Sequence, residues 1–307
     1  MSAPAPWRLA VRRAAHGFMR HRGIDAAAGL TFFSLLCLLP GSLAVVSVFA
    51  IFDDRDRAVD DLAAVLDTVL PAQATRDLEG VLRELLSLGN PGLALGIALA
   101  LLLWTTSGFA TAFGRITNTV YEVEEGRPFW AFRARMLLVA LALDGLGAVV
   151  VTVLLAPGDL PVWSVVRWPV LLAVAVLFVA VLYTATPNVV RPHRRWASVG
   201  ASVAILIWVV ATAGFALYVG LVDHGAIYGS LGGVIVGLLW LYLTNVALVA
   251  GIEVDAEVTR VHLLAHGEDA AARLDLPVRD TRRIRILRRQ RADDVAAAEE
   301  WRRRRGT

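Results

Sequence analysis

The chain has 307 residues, of which 57% are hydrophobic and 19% charged, with a mean hydropathy of +0.61; a soluble domain is about 45–50% apolar and about 25% charged. That excess needs a nonaqueous solvent, so a water-soluble multidomain protein is disfavoured at the outset. The net charge of +3 comes from arginine, since the chain contains no lysine, and the single cysteine, Cys37, excludes an intramolecular disulfide framework or a thiolate metal site.

A basic amino-terminal arm, residues 1–25, carries Arg8, Arg12, Arg13, Arg20 and Arg22. The apolar block behind it is too long for the core of a cleaved signal and lacks an A-x-A site, so it reads as an uncleaved signal anchor. Six stretches reach the roughly 20 apolar residues that a spanning helix needs: Ala26 to Phe52, Leu93 to Phe113, Met136 to Leu155, Trp168 to Thr186, Ala197 to Val222 and Ala226 to Ile252. The predicted architecture is an all-α, polytopic membrane bundle over residues 26–260, followed by an arginine-rich tail over 261–307.

Arginine-rich loops stay on the cytoplasmic side. The arm, the loop with Arg115, Arg127, Arg133 and Arg135, the loop with Arg191, Arg194 and Arg195, and the tail are all basic, whereas the alternating segments are acidic or nearly uncharged. Six crossings with both termini cytoplasmic satisfy every loop, in a multi-pass protein of a bacterial inner membrane. Between the first two spans, over 53–90, Leu62, Val65, Leu66, Val69 and Leu70 share one helical face, and Leu78, Val81, Leu82, Leu85 and Leu86 repeat the spacing after Pro71. These predict an external pair of amphipathic helices that caps the bundle or contacts a partner.

Asp144 is the one formal charge inside the six blocks, and an ionised side chain there costs about 2.5–3.5 kcal/mol on insertion scales. A polar partner from another span is expected among Thr105, Thr106, Ser107 and Asn245, with Gly145 and Gly147 permitting close helix approach. Such a carboxylate either contacts a substrate or relays protons, or it is a hydrogen-bonded packing residue. Pro40 and Gly41 interrupt the first span and invite a kink or a break. Gly229, Gly233 and Gly237 recur every four residues along the sixth, and Gly92, Gly96 and Ala100 do so entering the second, a spacing that suits tight helix packing or sliding.

Glu253 and Glu257 stand at i, i+4 beside Asp255 and Arg260 where the sixth span leaves the membrane, as ordinary interfacial ion pairs would. His262 and His266 repeat that spacing, but a metal site needs further ligands. The tail, from Arg282 to Arg305, could attract nucleic acid electrostatically. Tethered beside an anionic leaflet, it is expected to meet lipid head groups instead, as a solvated tail with no specific nucleic-acid partner. No nucleotide-binding loop, G-x-S-x-G elbow or H-E-x-x-H pair occurs, so neither a cofactor, a metal nor an enzymatic activity is expected.

Four segments carry a family resemblance: AAGLTFFSLLCLLP at Ala27 to Pro40, LLLWTTSGFATAFGRITNTVYEVEEGRPF at Leu101 to Phe129, LYTATPNVVRPHRRWASVGA at Leu182 to Ala201, and YGSLGGVIVGLLWLYLTNVALVAGIEVDAE at Tyr228 to Glu257. Together they resemble the YihY/BrkB family of bacterial inner-membrane proteins, once labelled ribonuclease BN. The resemblance implies a six-helix bundle with cytoplasmic termini. It singles out Ser34, Pro40, Trp104, Asn118, Tyr121, Arg127, Pro128, Pro187, Asn188, Gly229, Gly233 and Glu253. Phe32 and Phe33 stand where relatives tend to carry tyrosine. The functional expectation is a secondary transporter or export permease for an unidentified solute or lipid, with an envelope scaffold as its alternative and a ribonuclease as the less supported third.

Overall fold

A chain in lipid must satisfy its backbone hydrogen bonds internally, and helices do so segment by segment. The computed structural model describes residues 6–52, 64, 76, 79–80, 90–156, 161–190, 199–221 and 232–305. Among them are eight helices and no strand: α1 (Pro6–Arg20), α2 (Gly23–Phe52), α3 (Pro91–Val120), α4 (Phe129–Leu155), α5 (Pro161–Ala185), α6 (Val199–Leu221), α7 (Gly232–Ala265) and α8 (Arg282–Arg305). Six of these, α2 to α7, are long and apolar enough to cross a membrane. The expected external helix pair and Gly229 lie outside the described residues, apart from isolated positions of the 53–90 segment.

The spans pack in a ring, α2–α3–α4–α5–α6–α7 and back to α2, with α1 lying against α7. Both ends of the described chain meet at one end of this ring, the terminal end. The core there includes Leu30, Phe113, Met136, Leu182, Tyr183, Val249 and Ile252, all buried, with the rings of Phe113 and Tyr183 stacked 5.8 Å apart. Towards the far end the packing thins. No described residue of α5 from 163 to 178, or of α6 from 205 to 221, is buried.

Several sequence expectations change. α2 continues through Pro40, whose ring lacks the N–H that would otherwise donate to the Leu36 carbonyl; two residues on, Ser42 Oγ donates to the carbonyls of Leu38 and Leu39. Gly41 faces Leu102 at ordinary contact distance. Gly96, Gly145 and Gly147 do not mark close crossings, since a methyl group at any of them would meet nothing within 4 Å. The tight crossing lies between α6 and α7, where Gly200 and Gly251 abut so closely that a side chain on either would overlap the other helix. Gly237 is half-buried on α7.

The tail also departs from expectation. Ala270, Leu274, Leu276 and Ile284 are buried against the terminal end, so residues 268–284 form a strap across the bundle instead of a solvated extension. Only beyond Ile284, along α8, is the chain exposed throughout.

Candidate functional site

Two polar constellations lie inside the bundle. The first is at mid-membrane, where Thr106 Oγ1 on α3 donates to Asp144 Oδ1 on α4 at 2.8 Å, and Cys37 Sγ on α2 lies 3.6 Å from the same hydroxyl. Asp144 sits about 22 Å along α4 from its start, at 1.5 Å rise per residue. Of the partners expected for Asp144, Thr106 alone meets it. Thr105 and Ser107 donate to carbonyls of their own helix. Asn245, on α7, donates to Thr31 Oγ1 at 3.3 Å and Ser34 Oγ at 3.1 Å, tying α7 to α2.

The second constellation is a buried charged layer at the terminal end. Its foundation is the last part of α7, where 100° per residue places Glu253 and Glu257 on one face and Asp255 on the opposite one. Glu253 meets His21 Nδ1 at 2.8 Å, and Glu257 accepts from Arg13 Nε at 2.8 Å, so two acids of α7 clamp α1. Gly17 lets the helices approach, because a Cβ there would come within 2.6 Å of Glu253 Oε2. Asp255 accepts from Tyr121 Oη at 2.5 Å and from the backbone N–H of Gly200 at 3.2 Å, joining α3 to the first turn of α6.

Arg260 lies at the hub and is 1% exposed. Its Nε donates to Glu257, its Nη1 to the Ala270 carbonyl at 2.8 Å and its Nη2 to Glu122 Oε1 at 2.8 Å. Glu122 follows the end of α3 in the left-handed region, with φ 57°, a conformation that disfavours side-chain-bearing residues by roughly 1–2 kcal/mol. The turn brings its carboxylate to both Arg260 and the Leu274 N–H, 3.0 Å away. Burial alone pushes the Glu122 carboxyl up, but the Leu274 N–H, the hydrogen bond and charge of Arg260, and the charge of Arg20 outweigh it and hold the carboxyl below its usual range.

The loop from α3 to α4 and the end of α5 complete the layer. Arg127 forms a two-pronged pair with Glu125, donates to the Thr186 carbonyl at 2.8 Å and lies over the Phe132 ring. Asn118 donates to Glu125 and accepts from the Asn188 N–H. Asn188 in turn exchanges hydrogen bonds with Asp280 of the strap, its amide donating to the Asp280 carbonyl and its Oδ1 accepting the Asp280 N–H. The strap is further held by an antiparallel bridge between Val189 and Val278, and by Arg279, which donates to the carbonyls of Val189 and Thr184. Gly126 has no room for a side chain because the Asp280 carbonyl occupies that space.

Asn118, Tyr121, Arg127, Asn188 and Glu253, singled out by resemblance, thus fall in one layer. Sequence reasoning missed their connection to Arg13, His21, Glu122, Glu125, Arg260 and Asp280. The available signal was the run from Glu253 to Arg260: acids on opposite helical faces cannot all face water once the helix is packed on both sides. His262 and His266 lie with ring centroids 4.2 Å apart and planes tilted by 49°, and among the described residues no group of three or more His, Cys, Asp or Glu is placed to hold a metal ion.

A family profile described as Virulence factor BrkB matches residues 14–275. The chain is 30% identical to YfkH of Bacillus subtilis (strain 168), whose name describes it as ribonuclease-like, over 252 residues that cover 77% of this chain and 90% of that protein. It is 27% identical to a UPF0761 membrane protein of Laribacter hongkongensis (strain HLHK9), covering 78% of this chain and 59% of the relative. A UPF0761 membrane protein of Rhodospirillum centenum (strain ATCC 51521 / SW) is also 27% identical, with 80% and 56% covered. The chain therefore spans most of YfkH but less than two thirds of these UPF0761 proteins. No solved structure matches it.

Proposed function

Because the chain belongs to the Virulence factor BrkB family of integral membrane proteins, we propose that it is a secondary transporter or export permease for a solute or lipid, in a bacterial cytoplasmic membrane with both termini inside. One observation carries this reading: the bundle is asymmetric about Asp144. On one side lies the charged layer, which ties α1, α3, α6, α7 and the strap together. On the other, no described residue of α5 from 163 to 178 or of α6 from 205 to 221 is buried. An intramembrane carboxylate between a sealed end and a loosely packed one is the arrangement of a pathway closed at one gate. Thr106 and Cys37 complete a small polar cluster at that level, where a coupling cation or a polar substrate group would be met.

The ribonuclease reading suggested by the name of YfkH draws less support. RNA hydrolysis needs an acid/base pair or a metal-binding set open to cytoplasm. The acids nearest that requirement, Glu253, Asp255 and Glu257, are each about 2–5% exposed and already engaged by His21, Tyr121 and the pair Arg13 and Arg260.

Cys37, the chain's single cysteine, offers the test. A membrane-impermeant maleimide should label it in right-side-out vesicles and leave it unmodified in inside-out vesicles. Labelling from the cytoplasmic face alone, or from neither face, would defeat the reading of a pathway open to the outside.

A further inference from the structure

A groove of about 460 Å³ runs between the Glu122–Glu124 stretch of the loop and the strap with the start of α8. Its walls are largely apolar, from Val123, Leu276 and Ile284 among others, and three guanidinium groups border it: Arg273 on the strap, and Arg285 and Arg288 at i, i+3 on one face of α8. Ligand pockets commonly have this size, and here the apolar wall is joined by those three arginines and by Glu122, Glu124 and Asp275. We propose that the groove binds a phosphodiester-bearing ligand, its phosphate held by Arg285 and Arg288 with Arg273 completing the cationic border.

The inference stands on what those arginines lack and on charge balance. Arg279 and Arg282 are committed, the first to carbonyls of Val189 and Thr184 and the second to Asp280. Among the described residues, by contrast, the side chains of Arg285 and Arg288 have no hydrogen-bonded acceptor, and Arg273 has only a long contact of 3.5 Å to the Glu122 carbonyl. Guanidinium groups suit phosphate oxygens, which they can engage through paired N–H donors. Of the acids at the groove, Glu122 is neutralised by Arg260. That leaves Glu124 and Asp275 against three arginines, an excess of one positive charge. A singly charged phosphodiester matches that excess; a polyphosphate would bring more negative charge than the groove can balance. The phosphodiester could belong to a membrane phospholipid or to a soluble ester, since the groove opens at the end where the spans terminate. The site is independent of whether the protein transports anything.

Binding to the full-length protein in a nonionic detergent, read by native mass spectrometry, tests the assignment with three probes: dihexanoylphosphatidylglycerol, its deacylated headgroup glycerophosphoglycerol, and ATP. One equivalent of the lipid should bind saturably, and Arg285→Gln/Arg288→Gln should weaken it about tenfold or more. Arg302→Gln/Arg303→Gln, further along the same helix, should leave it unchanged. Glycerophosphoglycerol binding as well as the lipid would identify a soluble ester as the source, and its failure to do so a membrane lipid. No saturable binding of either phosphodiester, equal weakening in the two double variants, or tighter binding of ATP would each overturn the proposal.

Discussion

Arg260 and Glu122, 138 positions apart in the chain, meet through a 2.8 Å ion pair at the point where α7, the end of α3 and the strap converge. The arginine is buried and shared with Glu257, whereas Glu122 retains 22% side-chain exposure, so the two members of the pair are unequal.

Removing the buried member is therefore expected to be the more damaging. Arg260→Met leaves Glu257 without its i, i+3 partner and strips the Ala270 carbonyl of its donor, a loss of about 3–5 kcal/mol for one half of a buried pair. Glu122→Gln keeps one acceptor oxygen, enough for either the Leu274 N–H or Arg260 but not both, and because the site is partly exposed it should cost about 1–2 kcal/mol. Unfolding in mixed micelles measures both, and equal losses would contradict the placement of Arg260 as the hub.

The strap should respond to acid. Glu122 titrates below its ordinary value of 4.5, and Asp280 is lowered from 3.8 to about 2, first by its hydrogen bond to the Arg282 side chain. A carboxyl depressed in the folded protein stabilises it above the unfolded pKa, and that contribution is lost as pH falls through the folded value. Protection of the Leu274 and Asp280 amides, taken relative to the intrinsic exchange rate at each pH, should thus hold from neutrality down to about pH 4.5 and fall from there towards pH 2. A loss of protection between pH 7 and 5 would point to a different group.

Gly126→Ala tests the strap sterically. Its methyl group would be directed at the Asp280 carbonyl, and both are backbone-anchored, so the strap must lift. Trypsin cleavage at Arg273 or Arg279 should become fast at neutral pH while the helical circular dichroism of the spans is retained. Slow cleavage would mean that the loop can shift to make room.

Asp144→Asn tests the pathway. The amide preserves an acceptor for Thr106 at 2.8 Å, so folding and expression should match the parent protein. Flux of a confirmed substrate in proteoliposomes should fall by at least about tenfold if the charge takes part, equivalent to roughly 1.4 kcal/mol in the barrier. Unchanged flux would return Asp144 to a packing role.

The spans were legible because each is a long, mainly apolar block. The helix extensions beyond lipid were not: α7 continues from Ile252 to Ala265 through a charged run that resembles an exit from the membrane, yet Glu253, Asp255, Glu257 and Arg260 are all buried. Periodicity reports which face is apolar, but it is silent about acids whose partners come from distant segments. Thr106 was one of four hydroxyl or amide candidates for Asp144, and only the relative rotation of α3 and α4 separates it from its neighbours Thr105 and Ser107. The Gly200–Gly251 crossing shows the same limit. Gly200 with Ala204, and Ala247 with Gly251, are small residues four apart, but nothing in either helix says which partner will come to lie against it.

The α1 clamp bears on how the molecule is built. Arg13 and His21 leave the ribosome long before Glu257 and Glu253, which follow 244 and 232 positions later. Until α7 has been inserted, Arg13 and His21 lack the acids that receive them, so the ring closes late. A ribosome stalled after α6 would hold five inserted spans that cannot lock, and quality-control proteases would meet that intermediate with its amino-terminal helix still undocked.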